Sequence, residues 1–529
     1  MKKYIIYSFI IVSGLLFSRC SDDFLDSEPL TTITDVNFYR TIEDAELAII
    51  GCYDGVQQLY AGGVAFPVAS EVMSDNCFGG TGNNDALNYQ VIDEFDLSRS
   101  PGEVNIFNDN WISYYEAIYR CNILLEKMDQ IDWEGDTTKR NSIEAEARFL
   151  RAYSYFDMVR LWERVPLLTA PSDANIPQSD PNEIYKVIAE DLLFAAEYGS
   201  EIVEPGRVNK WAAKAYLGRV YLFYTGYYNQ SDLVGLVTQQ QVLDGLEEVI
   251  ENPNYGLVEN FADLWPAASS EVDGDELVST YAGKDNKETI FAIKYNITSD
   301  YNGNTDGNHW LVMLGLRAQA FSPYGRGWGA GTVNPEFYEA FDASDLRRDA
   351  SIIAIQEENL DFDNSDQREY TGYTNKKYTP IANPDGTDVA EANGAVNFMI
   401  GQFQDYVVMR YADVLLMAAE LGSVNAENYL NQVRSRAGLP NAPATMNNIM
   451  RERRLEFAFE GIRYWDLLRQ GVETAASALE MQTTVLNGGV ETPKSVAAEK
   501  FRSTKGFQMI PQDQVTRSAG VLEQNEGWN

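Results

Sequence analysis

A single histidine, His309, stands in 529 residues. That excludes a histidine-rich metal site. It also gives a Ser-His-Asp triad only one base to build on, and no GxSxG elbow occurs to supply the serine. Cysteine is nearly as scarce. Cys20, Cys52, Cys77 and Cys121 form no CxxC pair and no metal-ligand spacing. With Cys20 lipidated, three remain and cannot complete a disulfide set, so free buried thiols are expected. Basic residues are few beside acids, 41 against 79, for a net charge of −38. A nucleic-acid partner needs a basic footprint and is argued against. Highly sulfated or polyuronate ligands are disfavoured too, unless a local basic pocket overrides the mean. Most of the acid reads as a solubility surface.

A membrane-spanning run is missing at the N-terminus. Lys2 and Lys3 precede an apolar stretch from Tyr4 to Phe17, too short to span a bilayer comfortably and fitting the h-region of a signal peptide over residues 1–19. Cys20 follows, where an exported lipoprotein carries its acylated cysteine. Arg19 stands where that pattern has a small residue. Residues 20–40 then read as lipid anchor and tether, a stable attachment when more than one acyl chain is present.

What is abundant is helical periodicity. Thr41 caps a helix with Asp44 as its N3 acid, and Ala45, Ala48, Ile49 and Cys52 form one face. Further helices are expected from Trp111 to Asn122, from Ser142 to Trp162, from Asn182 to Tyr198, from Val208 to Tyr228 and from Gln239 to Glu251. Small Ala212, Ala213, Ala215 and Gly218 admit a close neighbour. Leu217-Gly218-Arg219-Val220-Tyr221 carries the L-G-x2-Y core of a tetratricopeptide helix.

The most informative stretch runs from Tyr411 to Gly471. Val414, Leu415, Ala418 and Ala419 recur at helical spacing, and Leu430, Val433 and Ala437 continue the pattern to Gly438 and Pro440. Leu455, Ala458, Phe459 and Ile462 form a second face. Glu452, Glu456 and Glu460 repel at i,i+4 spacing, so nearby arginines are expected to bridge them as structural ion pairs between packed helices.

Two regions lose this regularity. The loop 61–102 is punctuated by glycines and holds Asp75, Asn76, Phe78, Asn83, Asn84 and Asp85. Carboxylates, amides and an aromatic together suit sugar hydroxyls and a sugar's apolar face. Asx turns that only hold a loop together explain the same residues. The second region, 252–404, is loop-rich, with a strand expected from Thr289 to Tyr295. In it Trp310, Tyr324 and Trp328 lie among glycines, and glycine beside an aromatic leaves the ring uncovered. Each ring reads as a sugar platform contributing about 1 kcal/mol, or as core. Asp361-Phe362-Asp363-Asn364-Ser365-Asp366 suggests a calcium loop but lacks the EF-hand glycine and glutamate. A solvated acidic loop is the plainer reading, with structural Ca²⁺ kept open; no other cofactor is indicated.

The blocks RYADVLLMAAE, LNQVRSRAGLP and RERRLEFAFEGIRYWDLLRQG resemble the C-terminal signature of the SusD/RagB family. The helix WxxxYxxIxRxN at Trp111 to Asn122, the block EARFLRAYSYFDMVRLWERVPL and the closing FQMIPQDQV and LEQNEGW match further family motifs. The acidic leader Ser21-Asp22-Asp23 is similar to that of the family's surface-exported lipoproteins. The resemblance implies a mostly α fold, a tetratricopeptide-like helix-pair scaffold with a loop-rich, partly β insertion forming the ligand face. Its parts would be 41–251 with loop 61–102, the insertion 252–404, and 405–529 with a closing tail. It further implies a lipid-anchored protein of the outer-membrane surface that captures oligosaccharide for a SusC-like TonB-dependent transporter and acts as its lid. No catalytic residue is implied. A ligand site of Asp75, Asn76, Phe78, Asn84, Trp310, Tyr324 and Trp328 is expected. A RagB-like peptide importer remains an alternative, as does a glycoside hydrolase, although no motif singles out its carboxylate pair.

Overall fold

The structure, a computed structural model, describes residues 38–528. The signal peptide, Cys20 and most of the tether lie outside the described residues. Eight helices carry the architecture: α1 (Ile42–Gln58), α2 (Asn108–Lys127), α3 (Thr137–Trp162), α4 (Pro181–Tyr198), α5 (Lys210–Tyr227), α6 (Gln239–Glu251), α7 (Tyr411–Glu420) and α8 (Ala426–Arg436). Each packs on the next, and α6 meets α7 directly across the long segment between them. The fold is mostly α, and its helix pairs stack as tetratricopeptide-like units.

Local chemistry explains the helix starts. Thr41 and Asp44 form the expected capping box, and Thr238 with Gln241 forms another. Asp180 caps α4 with Pro181 at its first position. A Cβ on Gly218 would stand 3.1 Å from Leu246, so the small residue there sets the approach of α5 to α6. Helix α3 is the central beam and is buried along most of its length. Trp162 at its end donates to the carbonyl of Met509, which fastens the closing tail.

Two expectations need correction. Loop 61–102 is not irregular throughout: it holds a fully buried helix, Phe66–Val72, a strand, Cys77–Gly80, and a second helix, Asn88–Glu94. Short buried elements carry too few residues for periodicity to register. The second apolar face of the C-terminal stretch is not one helix either. Met446–Glu456 ends before Phe459 and Gly461, which both take positive φ, and a separate helix follows at Arg463–Leu468.

The acids of that stretch are paired, but mostly by distant arginines. Glu456 faces Arg410, Arg436 and Arg347, Glu452 faces Arg347 and Arg434, and Glu460 faces Arg410 and Lys377. Arg347 bridges Glu452 and Glu456, at 2.6 and 3.1 Å, from far upstream in the chain. Burial pushes the Glu456 carboxyl up, yet the three guanidinium groups outweigh it and hold the group well below the usual carboxylate range. The network is structural. Cys52, Cys77 and Cys121 are free and buried, as expected.

Candidate functional site

The sequence GRGWGAG builds a display for one ring. Strand Cys77–Gly80 pairs antiparallel with strand Ala330–Val333. Just before the second strand, the backbone from Val312 to Ala318 lies against Arg326–Gly329. Trp328 N–H donates to Val312, Gly329 N–H to Gly315, and Ala318 N–H to Gly327. A Cβ on Gly327 would stand 2.4 Å from Gly315 Cα, so only glycine permits this contact. Exposure then alternates along the extended chain: Arg326 and Trp328 out, Gly327 and Gly329 in. The Trp328 ring is 38% exposed. Beside it the Arg326 guanidinium lies 3.9 Å from the Phe398 ring centroid.

The loop Thr81–Ala86 is fastened to this turn. Thr81 N–H donates to the Gly329 carbonyl at 2.7 Å, and Gln367 Nε2 donates to the carbonyls of both Thr81 and Gly329. Arg368 donates to Thr81 Oγ1 and to the carbonyls of Asp85 and Ala86. Arg317 joins Asp85 to Asp366. Asn84 and Asp85 crest the loop and are exposed. Behind the loop, Lys494 Nζ reaches Asp93, Glu369 and Glu94, whose neighbours in turn are fixed: Asp93 accepts from Gly79 N–H and Glu369 from Gly80 N–H.

Of the seven expected ligand residues, Asn84 and Trp328 are exposed and the other five are turned inward. Asp75 is buried between Arg463, which donates twice at 2.7 and 2.8 Å, and Arg454. Burial raises its carboxyl, and the Arg463 hydrogen bonds and charge outweigh that and hold it low. Asn76 accepts from Arg454 Nε, and Phe78 lies beneath Lys494. Trp310, 3% exposed, meets the Tyr406 ring edge-on in the main core. Tyr324, 6% exposed, donates to Glu358 at 2.6 Å within a small apolar cluster with Leu316, Ile353 and Ile355. These five are corrected to structural roles, because long-range ion pairs and packing occupy their faces. Residues the sequence reading missed are Arg317, Arg326, Gln367, Arg368 and Lys494. Only the Arg326-Gly327-Trp328 alternation carried a local signal.

The acidic loop is tied down by side chains of the protein itself. Asp366 faces Arg317, and Gln319 bonds the backbone of Asp363 through both its amide atoms. Among the described residues no group of three His, Cys, Asp or Glu side chains is placed to hold a metal. His309 Nδ1 faces the Ala61 carbonyl, so its Nε2 accepts from Ser299; no carboxylate bonds the ring among the described residues.

Two family models match separate parts of the chain. One, described as the SusD family, matches residues 363–528; the other, described as starch-binding and associating with the outer membrane, matches residues 23–222. The chain belongs to the SusD family. A SusD-like protein P2 of Formosa agariphila is 27% identical across the whole of both chains, and a SusD-like protein of Bacteroides ovatus is 27% identical over 87% of this chain and 81% of its own. A solved laminarin binding SusD-like protein superposes with a TM-score of 0.71 at 26% identity, covering 92% of this chain and 99% of that one. Surface glycan-binding protein A from Bacteroides thetaiotaomicron, in complex with laminarihexaose, gives 0.72 at 23% identity over 92% of this chain and 99% of its own, which establishes the shared SusD fold. These SusD-family structures are named for glycan binding rather than for an enzymatic activity. Among the described residues no helix is long and apolar enough to cross a membrane.

Proposed function

We propose that this SusD-family chain is a surface glycan-binding protein without catalytic activity, and that its oligosaccharide ligand stacks on Trp328. The ring supplies an apolar face for a sugar, and Asn84 and Asp85 on the adjoining loop supply hydrogen-bonding groups for hydroxyls. The observation that carries the reading is the exposed tryptophan on a backbone rigidified by packed glycines. The laminarin binding relative supports a neutral glucan as the first ligand to try, as does the net charge of −38.

In this reading lipid on Cys20 holds the protein at the outer surface. It hands its glycan to a SusC-like TonB-dependent transporter and covers that transporter's mouth. Titration calorimetry of the protein beginning after Cys20, against neutral and acidic glycans with laminarin and laminarihexaose among them, tests the reading. Binding within one neutral family supports it. Silence across the glycans together with binding of peptides would replace it with a peptide importer.

A further inference from the structure

A second ring-lined groove lies on the helical scaffold, away from the insertion. Its floor is the outer side of α2, and its walls are the irregular segment 168–172 and Gln514 near the C-terminus. Its volume is about 680 Å³, within the range of small-molecule sites. Trp111, Tyr115 and Tyr119 follow one another at four-residue intervals along α2. Trp111 is buried and braces Tyr115, with ring centroids 5.4 Å apart, and the Tyr115 hydroxyl is fixed by donating to the Pro166 carbonyl. Tyr119 is 49% exposed and Ile112 37% exposed. Apolar side chains left open in this way on a packed helix mark a contact surface rather than core.

The polar groups decide what fits. Arg120, the cation of the groove, is already engaged by Asp54 and by the Gly51 carbonyl. Glu116 is exposed and makes no ion pair or hydrogen bond among the described residues. An anionic ligand would therefore meet an uncompensated carboxylate. A neutral polyhydroxylated one would find an acceptor in Glu116, a hydroxyl in Ser172 and stacking faces in Tyr115 and Tyr119. Helical residues four apart stand ~6 Å from each other, close to the repeat of a sugar chain. We infer that the α2 groove is a second binding site for the neutral glycan, taking a stretch of the same polysaccharide that the Trp328 face holds.

The inference rests on the ligand being a glycan, and its test separates the two sites. Calorimetry with the hexasaccharide of the bound glycan, laminarihexaose first, should give two molecules per chain. Tyr119→Ala and Trp328→Ala should each reduce this to one, and the double variant to none. On the intact polysaccharide, laminarin first, each single variant should lose about tenfold in apparent affinity as linked contacts are removed. Tyr119 is exposed, so an unchanged melting temperature certifies the fold of that variant. One molecule per chain, lost with Trp328→Ala and untouched by Tyr119→Ala, would overturn the second site and leave the proposed function standing. Loss with Tyr119→Ala alone would uphold the groove and overturn the Trp328 placement. A Tyr119→Ala variant with full glycan binding that no longer copurifies with its transporter would overturn the inference by making the groove a protein interface. Absence of glycan binding in the wild type would overturn both.

Discussion

Replacing Lys494 with Met should loosen the candidate site from behind. Lys494 is buried, and its ammonium lies 2.6 Å from Asp93, 2.7 Å from Glu369 and 3.2 Å from Glu94. Asp93 accepts from Gly79 N–H and Glu369 from Gly80 N–H, immediately before the loop that carries Asn84. Met keeps the bulk and removes the charge, which leaves three carboxylates crowded in a dry pocket. Breaking one partner out of a buried ion cluster costs about 3–5 kcal/mol. With roughly 2 cal/mol/K of unfolding entropy per residue, a chain of this size should melt about 4 °C lower. Asp93 gives the pH dependence. Burial already raises its carboxyl to about 7, and Lys494 is the group pulling it down. Without Lys494, Asp93 and Glu369 take up protons more readily, so the deficit should shrink as pH falls from 7.5 to 5.5. Calorimetric melting across that range, with glycan titration at each pH, reads both effects. An unchanged melting temperature and unchanged affinity at pH 7.5 would refute the reasoning.

Other consequences can be checked on the same material. Gly327→Ala places a Cβ against Gly315 Cα; glycan affinity should fall at least tenfold, and retained affinity would show that the packed backbone does not matter. Burial lifts the Glu71 carboxyl to about 8 despite the Gly461 N–H it accepts. The unfolded chain ionises near 4.5 while the folded one keeps the proton, so this group costs stability increasingly as pH rises between those values. At pH 7 the cost is about 3 kcal/mol. Glu71→Gln should therefore be the more stable protein at pH 7 and equal to wild type near pH 4.5; the reverse slope in denaturant unfolding would sink the assignment. Asp413 is pushed up by burial but pulled further down, to about 2, by Arg453 and Arg219. Its contribution of about 2 kcal/mol is complete above pH 3.8 and lost as pH falls through 2. Asp413→Asn should accordingly be less stable at neutral pH and converge on wild type in acid, as followed by circular dichroism.

The scaffold was legible because its signals are local. Thr41 with Asp44, and Val414, Leu415, Ala418 and Ala419 at helical spacing, each declare a helix from within a few residues. At the candidate site, exposure was legible only where a local pattern set it: Trp328, between glycines and two residues from Arg326, announces an outward ring. Asp75, Asn76, Phe78, Trp310 and Tyr324 misled because composition does not encode burial. Asp75 is occupied by Arg463, hundreds of positions along the chain, and Tyr324 is covered by an apolar cluster assembled from three segments. Lys494 left no trace, since a lysine on the strand Val490–Val496 is buried only because three acids from elsewhere converge on it. The charged run Arg451–Arg463 shows both sides. Its structural role was readable from like charges at i,i+4, but its partners were not.

The measurement that bears most directly on the central claim is the glycan affinity of Trp328→Ala beside wild type, with both proteins melting at the same temperature. A ring contributing about 1–3 kcal/mol by stacking predicts a loss of five- to hundredfold in affinity for the hexasaccharide at the Trp328 site. Identical affinity and stoichiometry in the two proteins would contradict the account and take the ligand away from this surface.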